Sequence, residues 1–353
     1  MLASPLRRCN LTTKRLPSDF LIRLSTSSLK SENGVERVYL LPDGLLHPKY
    51  RPRVSGHGGY VLCWKDALKE LAHTRAYKRI HSTAIAHSLL SDQVGHQLRT
   101  RAIQELELLV EGFSYFRRFC FTSLQLWPSL VHRLTRSEWL KFRRKGIIPL
   151  DDPNIVAIIV LPKVPKPNPD DSGLPDMPAS SDTLIADTGA NITNRPIASL
   201  HPLLPSGSGH PDSQGAPRLV PVYNGVSLFP SRDQRLAFRI LLQKQFSTEN
   251  SIRRIEQSFR TEPVDSVQPP SQTSKFSDAF VLRSSSLDSR AVPDITSLAV
   301  ACWRIRLWEG EGWGRHGEEE PISHWIENAA SRHQLRSGLR RVRHPQWGTQ
   351  ISR

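Results

Sequence analysis

Asn154–Pro162, "NIVAIIVLP", is the stretch on which the fold turns: a β-branched apolar run long enough for one buried strand and too short for a membrane-spanning helix. A single strand leaves its backbone N–H and C=O groups unpaired, so it requires partners. The sequence offers two sources, the segment around Val38 and an undefined stretch in the C-terminal third.

The residues around it read as helices. Leu98, Ala102, Leu106, Leu109, Phe113, Phe116 and Cys120 recur every three or four positions, one apolar face of a long helix. "CWKDALKELAHTRAYKRI" spaces Trp64, Leu68 and Leu71 in the same way. Thr135 and Glu138 stand three apart, as in a capping box, and Gly146 is placed to close the short helix between them. Further helices are expected from Ser231 with Leu236, Ile240 and Leu241 inward, and around Ile252, Ile255 and Phe259. Another should follow Asp294, with Ile295, Leu298, Cys302 and Ile305 as its stripe and Gly310 at its end, and a last one should span Ile322–Val342. The expected fold is therefore mainly α with at most a minor β element near 154–161, a helical domain interrupted by a long disordered insertion.

Composition divides the chain further. Residues 1–150 carry 25 Lys and Arg against 11 Asp and Glu, whereas 151–230 carry 4 against 8. From Pro162 to Pro230 lie 13 of the 27 prolines, which predicts an acidic disordered linker over 162–230, with "RPIASLHPLLP" and "RLVPVYNGVSLFP" as short docking stretches inside it. The remaining divisions are a loop-rich segment over 29–60, a basic helical core over 61–161, a helical segment over 231–262, a second disordered linker over 263–290 and a C-terminal helical segment over 291–345.

The first 28 residues hold Arg7, Arg8, Lys14, Arg15 and Arg23 against Asp19 alone, interspersed with Ser, Thr and Leu. That is the composition of a mitochondrial transit peptide, so residues 1–28 are read as an address to the matrix that is cut off near Arg23 to Ser28. No stretch is long and apolar enough for a transmembrane segment.

No catalytic or metal motif stands out. HExxH, GxSxG and a P-loop are absent, and Cys9, Cys63, Cys120 and Cys302 are too scattered for a zinc site. Asp151 and Asp152 before Pro153 fit a turn better than a nuclease site. The chain is expected to be non-catalytic, with no cofactor and no metal. "YVLCWKDALKEL" (Tyr60–Leu71) followed by "TRAYKRI" (Thr74–Ile80) resembles the first helix of the small mitochondrial LYR adaptor proteins, with Leu62-Cys63-Trp64-Lys65 where the Leu-Tyr-Arg tripeptide would stand. No residue role is carried over.

A basic, aromatic stretch supplies the functional reading. Arg117, Arg118, Arg133, Arg136, Lys141, Arg143, Arg144 and Lys145 interleave with Phe116, Phe119, Trp127, Trp139 and Phe142. Cations neutralise phosphates and exposed rings stack on unpaired bases. The sequence therefore predicts nucleic-acid binding, to mitochondrial RNA or the mitochondrial ribosome. The alternative is an assembly factor or adaptor for a respiratory-chain complex, its basic face on protein subunits or anionic inner-membrane lipid.

Overall fold

The computed structural model describes residues 1–30, 34, 36–52, 58–119, 129–163, 196–204, 218–259, 276–285 and 294–313. They fall into two compact units, Met1–Arg101 with Trp303–Arg353, and Ala102–Cys302.

The first unit opens with a two-stranded antiparallel ribbon, β1 (Leu6–Arg8) and β2 (Arg15–Pro17). β3 (Leu21–Lys30) then lies between β4 (Glu36–Asp43) and β5 (Gly58–Leu62), antiparallel to both. Leu21, Ile22 and Leu24 of this central strand are buried, as are Leu40, Val61 and Leu62 beside it. α1 (Lys65–His73) follows, with Leu68 and Leu71 buried as the spacing predicts, and then α2 (Leu90–Phe119), which belongs to this unit up to Arg101 and to the second from Ala102.

The segment read as an address is thus woven into the unit. Cys63 donates its N–H to Phe20 O at 2.9 Å, Arg304 Nη2 donates to Leu21 O at 3.0 Å, and Arg23 pairs with the buried Asp43. A cut between Arg23 and Ser28 would divide the central strand. In the segment read as loop-rich, 29–60, the strand expected around Val38 lies within the longer β4, and most of β5 is added to it. Leu62 closes β5 and Trp64 precedes α1, so the residues compared with the LYR tripeptide straddle a strand end instead of lying within a helix.

The second unit continues from α2 into β6 (Val131–Thr135), α3 (Arg136–Lys145), β7 (Ile155–Val160), β8 (Ala198–Pro202), β9 (Leu219–Asn224), the one-turn α4 (Gly225–Leu228), α5 (Arg232–Phe259), β10 (Phe276–Arg283) and α6 (Thr296–Trp308). The strands form one mixed sheet in the order β6-β10-β7-β9-β8. Only β7 and β9 are parallel. The fold is α/β, and the mainly α expectation is overturned.

β7 is the strand read from "NIVAIIVLP". Its C-terminal-third partner is β10, which runs Ala279–Arg283 against Val160–Ile155. Val38 belongs to β4 in the other unit and is no partner at all. β10 falls where a disordered linker was expected over 263–290, although Ala279, Phe280, Val281 and Leu282 are all fully buried. The 162–230 linker is interrupted in the same way: both docking stretches are strands, β8 and β9. Pro221 fits in β9 because the pairing to β7 begins only at Val222, so its missing N–H breaks no bond on that side. Residues 164–195 and 205–217 of that linker, and the Ile322–Val342 helix, lie outside the described residues.

Gly225 starts α4 directly after β9. A Cβ there would come within 2.3 Å of Leu161 Cδ1 and 2.6 Å of Val160 O, and the carbonyl cannot retreat without breaking β7. Gly225→Ala is therefore expected to cost about 1–3 kcal/mol from overpacking. A urea midpoint within error of wild type would refute the close approach.

α5 corrects the expected helix phase. It is one helix of 28 residues, and Leu236 and Ile240 point outward at 43% and 53% exposure. The buried face instead runs through Phe238, Arg239, Leu242, Gln245, Glu249 and Ile252. Three of these six residues are polar, so an apolar template selects the wrong face.

Candidate nucleic-acid interface

α3 is built as its sequence implies. Thr135 Oγ1 accepts from Glu138 N at 3.2 Å while Glu138 Oε2 accepts from Thr135 N at 2.7 Å, a complete capping box. At the other end Gly146 takes φ +66° and donates to Phe142 O at 2.8 Å.

The inner side of α3 is aromatic. Trp139 and Phe142 are buried with ring centroids 5.3 Å apart, in a cluster with Leu134, Ile148, Ile158, Val222 and Val281. Phe142 also meets the His201 ring edge-on at 4.9 Å. Rings held in this way cannot stack on bases, which corrects the expectation of flat side chains on the surface. Trp127 and the side chains of Phe116 and Phe119 lie outside the described residues.

The outer side carries the charge. Arg136, Lys141, Arg143, Arg144 and Lys145 are exposed, and none forms an ion pair among the described residues. At 100° per residue they spread over about 200° of the helix surface, with Lys141 and Arg144 turned away from Trp139 and Phe142 and Arg136, Arg143 and Lys145 flanking that buried pair. Basic residues in the last turn also suit the helix dipole, which accounts structurally for part of this run. Arg117 and Arg118 are in the last turn of α2, and their side chains lie outside the described residues.

Arg133 does not join this surface. It turns inward from β6, donates from Nε to Ser277 O at 2.7 Å, and approaches Asp278 Oδ1 at 3.5 Å through Nη2. Its guanidinium is 5.6 Å from both the Phe276 and Phe280 ring centres. Burial lowers its pKa, with the Asp278 carboxylate opposing that shift. Arg239 of α5 reaches the same Asp278 oxygen at 2.7 Å through Nη2 and donates to Leu161 O through Nη1. One carboxylate thus serves two guanidiniums beneath α5. Sequence inspection misses both partners because Arg239 and Asp278 are distant in the chain and belong to no motif.

No family model, curated protein or solved structure matches the chain.

Burial pushes the Cys63 thiol up to about 11 and the Cys302 thiol up to about 12, so both stay protonated at neutral pH. Among the described residues no cluster of three His, Cys, Asp or Glu side chains is arranged to hold a metal. Asp152 makes the turn before β7, accepting from Asn154 N at 2.8 Å, and pairs with Arg283 at 2.9 Å. His132, next to Arg133, has its pKa lowered by burial and by Arg283, which keeps it neutral near pH 7.

Proposed function

We propose that this chain is a non-catalytic binding factor of mitochondrial gene expression, which holds RNA, free or in the ribosome, through the outer face of α3. The observation that carries the reading is the set of five exposed cations, Arg136, Lys141, Arg143, Arg144 and Lys145, without a carboxylate partner among the described residues. Positive side chains on a rigid, capped helix meet phosphates at the cost of little ordering, and each contact releases counterions. With Trp139 and Phe142 in the core, recognition runs through the backbone phosphates more than through stacked bases, so binding is strongly salt-dependent and tolerant of sequence.

The mitochondrial part of the reading rests on the acid-poor composition of residues 1–28. Since these residues also build β1 to β3, an address in them acts on the unfolded precursor and afterwards folds into the first unit.

Crosslinking in intact cells tests both parts. The wild-type chain should recover mitochondrial transcripts or ribosomal RNA. Changing Arg143, Arg144 and Lys145 together to Glu should lower that recovery by about tenfold or more, since three phosphate contacts become repulsions. Unchanged recovery would refute the α3 surface, and recovery of cytosolic or nuclear RNA would refute the location. A chain that crosslinks no RNA and co-purifies with a nuclease-resistant respiratory complex would favour the assembly-factor reading.

A further inference from the structure

The β1–β2 ribbon presents a second cationic surface, of a different character. Arg8 stands directly opposite Arg15, and Leu6 opposite Pro17, so these four residues share one face. Like charges placed opposite each other in a strand pair oppose folding, yet the ribbon is firmly held. Cys9 N donates to Lys14 O and Ser18 N to Pro5 O, both at 2.9 Å; Asn10 N donates to Tyr60 O and Arg79 Nη1 to Asn10 O, both at 2.7 Å. Cys9 and Leu11 are buried beneath it.

Arg8 and Arg15 are exposed and form no ion pair among the described residues, and no acid precedes Asp19 in the chain. Arg7 points to the other face of the ribbon, with its guanidinium 5.8 Å from the Tyr60 ring centre. Leu2 and Leu6 are exposed beside Arg8 and Arg15, at 80% and 65%. Phosphates of RNA would take the arginines and have no use for two bare leucines. A bilayer surface takes both, the cations at anionic headgroups and the aliphatic chains at the acyl boundary.

We infer that the ribbon is a peripheral membrane contact, in which Arg8 and Arg15 engage anionic lipid headgroups while Leu2 and Leu6 enter the interface. The contact is separate from α3 and does not depend on the nucleic-acid reading. It needs no transmembrane helix, and among the described residues no helix is long and apolar enough to cross a membrane.

Co-sedimentation of the purified full chain with vesicles tests it. Binding is expected to vesicles of phosphatidylcholine containing cardiolipin and to be negligible with phosphatidylcholine alone. Replacing Arg8 and Arg15 by Gln should weaken the affinity about 25-fold, roughly fivefold for each cation lost. Leu2→Ser with Leu6→Ser should weaken it about tenfold at constant charge, which a purely electrostatic surface would not do. All four sites are exposed, so melting temperatures should match wild type. No binding to anionic vesicles, or full binding by the leucine variant, overturns the inference. So does an arginine variant that loses single-stranded RNA and keeps vesicles, because the ribbon would then be a nucleic-acid surface. The α3 triple Glu variant should bind vesicles like wild type; its failure to do so would move the lipid contact to α3.

Discussion

Asp278→Ala should destabilise the five-stranded unit by about 3–5 kcal/mol, the usual consequence of removing one partner from a buried ionic group. Asp278 is the shared acceptor for Arg239 at 2.7 Å and Arg133 at 3.5 Å, and the three side chains are only 6%, 18% and 17% exposed for Arg239, Arg133 and Asp278. Without the carboxylate two guanidiniums face each other under α5, with Ser277 O and Leu161 O as their remaining acceptors. The shift should appear in the urea midpoint of the sheet and in faster amide exchange along β6 and β10. Replacing Arg239 by Met in the Asp278→Leu background should recover part of the loss, since an apolar pair of similar volume needs no compensation. A change below about 1 kcal/mol for Asp278→Ala would mean that water already reaches the cluster.

Glu249 should give the unit a second, pH-dependent weakness. Its carboxylate faces the start of β6, accepting from Val131 N at 3.2 Å, from Ser129 Oγ at 3.3 Å and from Gln245 Nε2 at 2.8 Å. Burial nevertheless dominates and pushes its pKa from 4.5 to about 7, against the lowering effect of these bonds and of Arg253. Between about pH 4.5 and 7 the folded chain therefore holds a proton that the unfolded chain has released. Stability falls as pH rises through that window, by about 3 kcal/mol in total. Glu249→Gln keeps an acceptor oxygen and loses the titration, so it should be more stable than wild type above pH 7 and similar to it near pH 4.5. His132 acts in the opposite direction, because its lowered pKa makes the folded chain bind fewer protons, so stability rises with pH up to its unfolded value. That rise should emerge in the Glu249→Gln variant. Urea midpoints across this pH range decide the matter, and a variant that declines as wild type does would remove Glu249 from the account.

The helices were legible in the sequence because their signals are local. The α2 stripe from Leu98 to Phe113 is buried as spaced, and Thr135, Glu138 and Gly146 cap α3 through atoms three or four residues apart. Of the strands, only β7 and the part of β4 around Val38 were legible. β6, β8, β9 and β10 are short and flanked by Ser, Pro and charged residues, and each is stabilised by partners far along the chain, as Phe280 is by Ile159 and Arg133. β3 was concealed for another reason: "LIRLSTSSLK" reads equally as a strand or as part of an address, since both are poor in acids.

The candidate surface shows the same division. That Arg136, Lys141, Arg143, Arg144 and Lys145 occupy the positions around α3 that Trp139 and Phe142 leave follows from helical geometry alone. That Arg133 leaves them for Asp278, that Trp139 and Phe142 are core, and that α5 buries Arg239, Gln245 and Glu249 while exposing Leu236 and Ile240, depended on what packs against each element. Periodicity specifies which residues share a face, because rise and twist are properties of the local backbone. Which face turns inward is decided by long-range pairing, and here a polar face went in because carboxylates and guanidiniums from separate elements satisfy one another there.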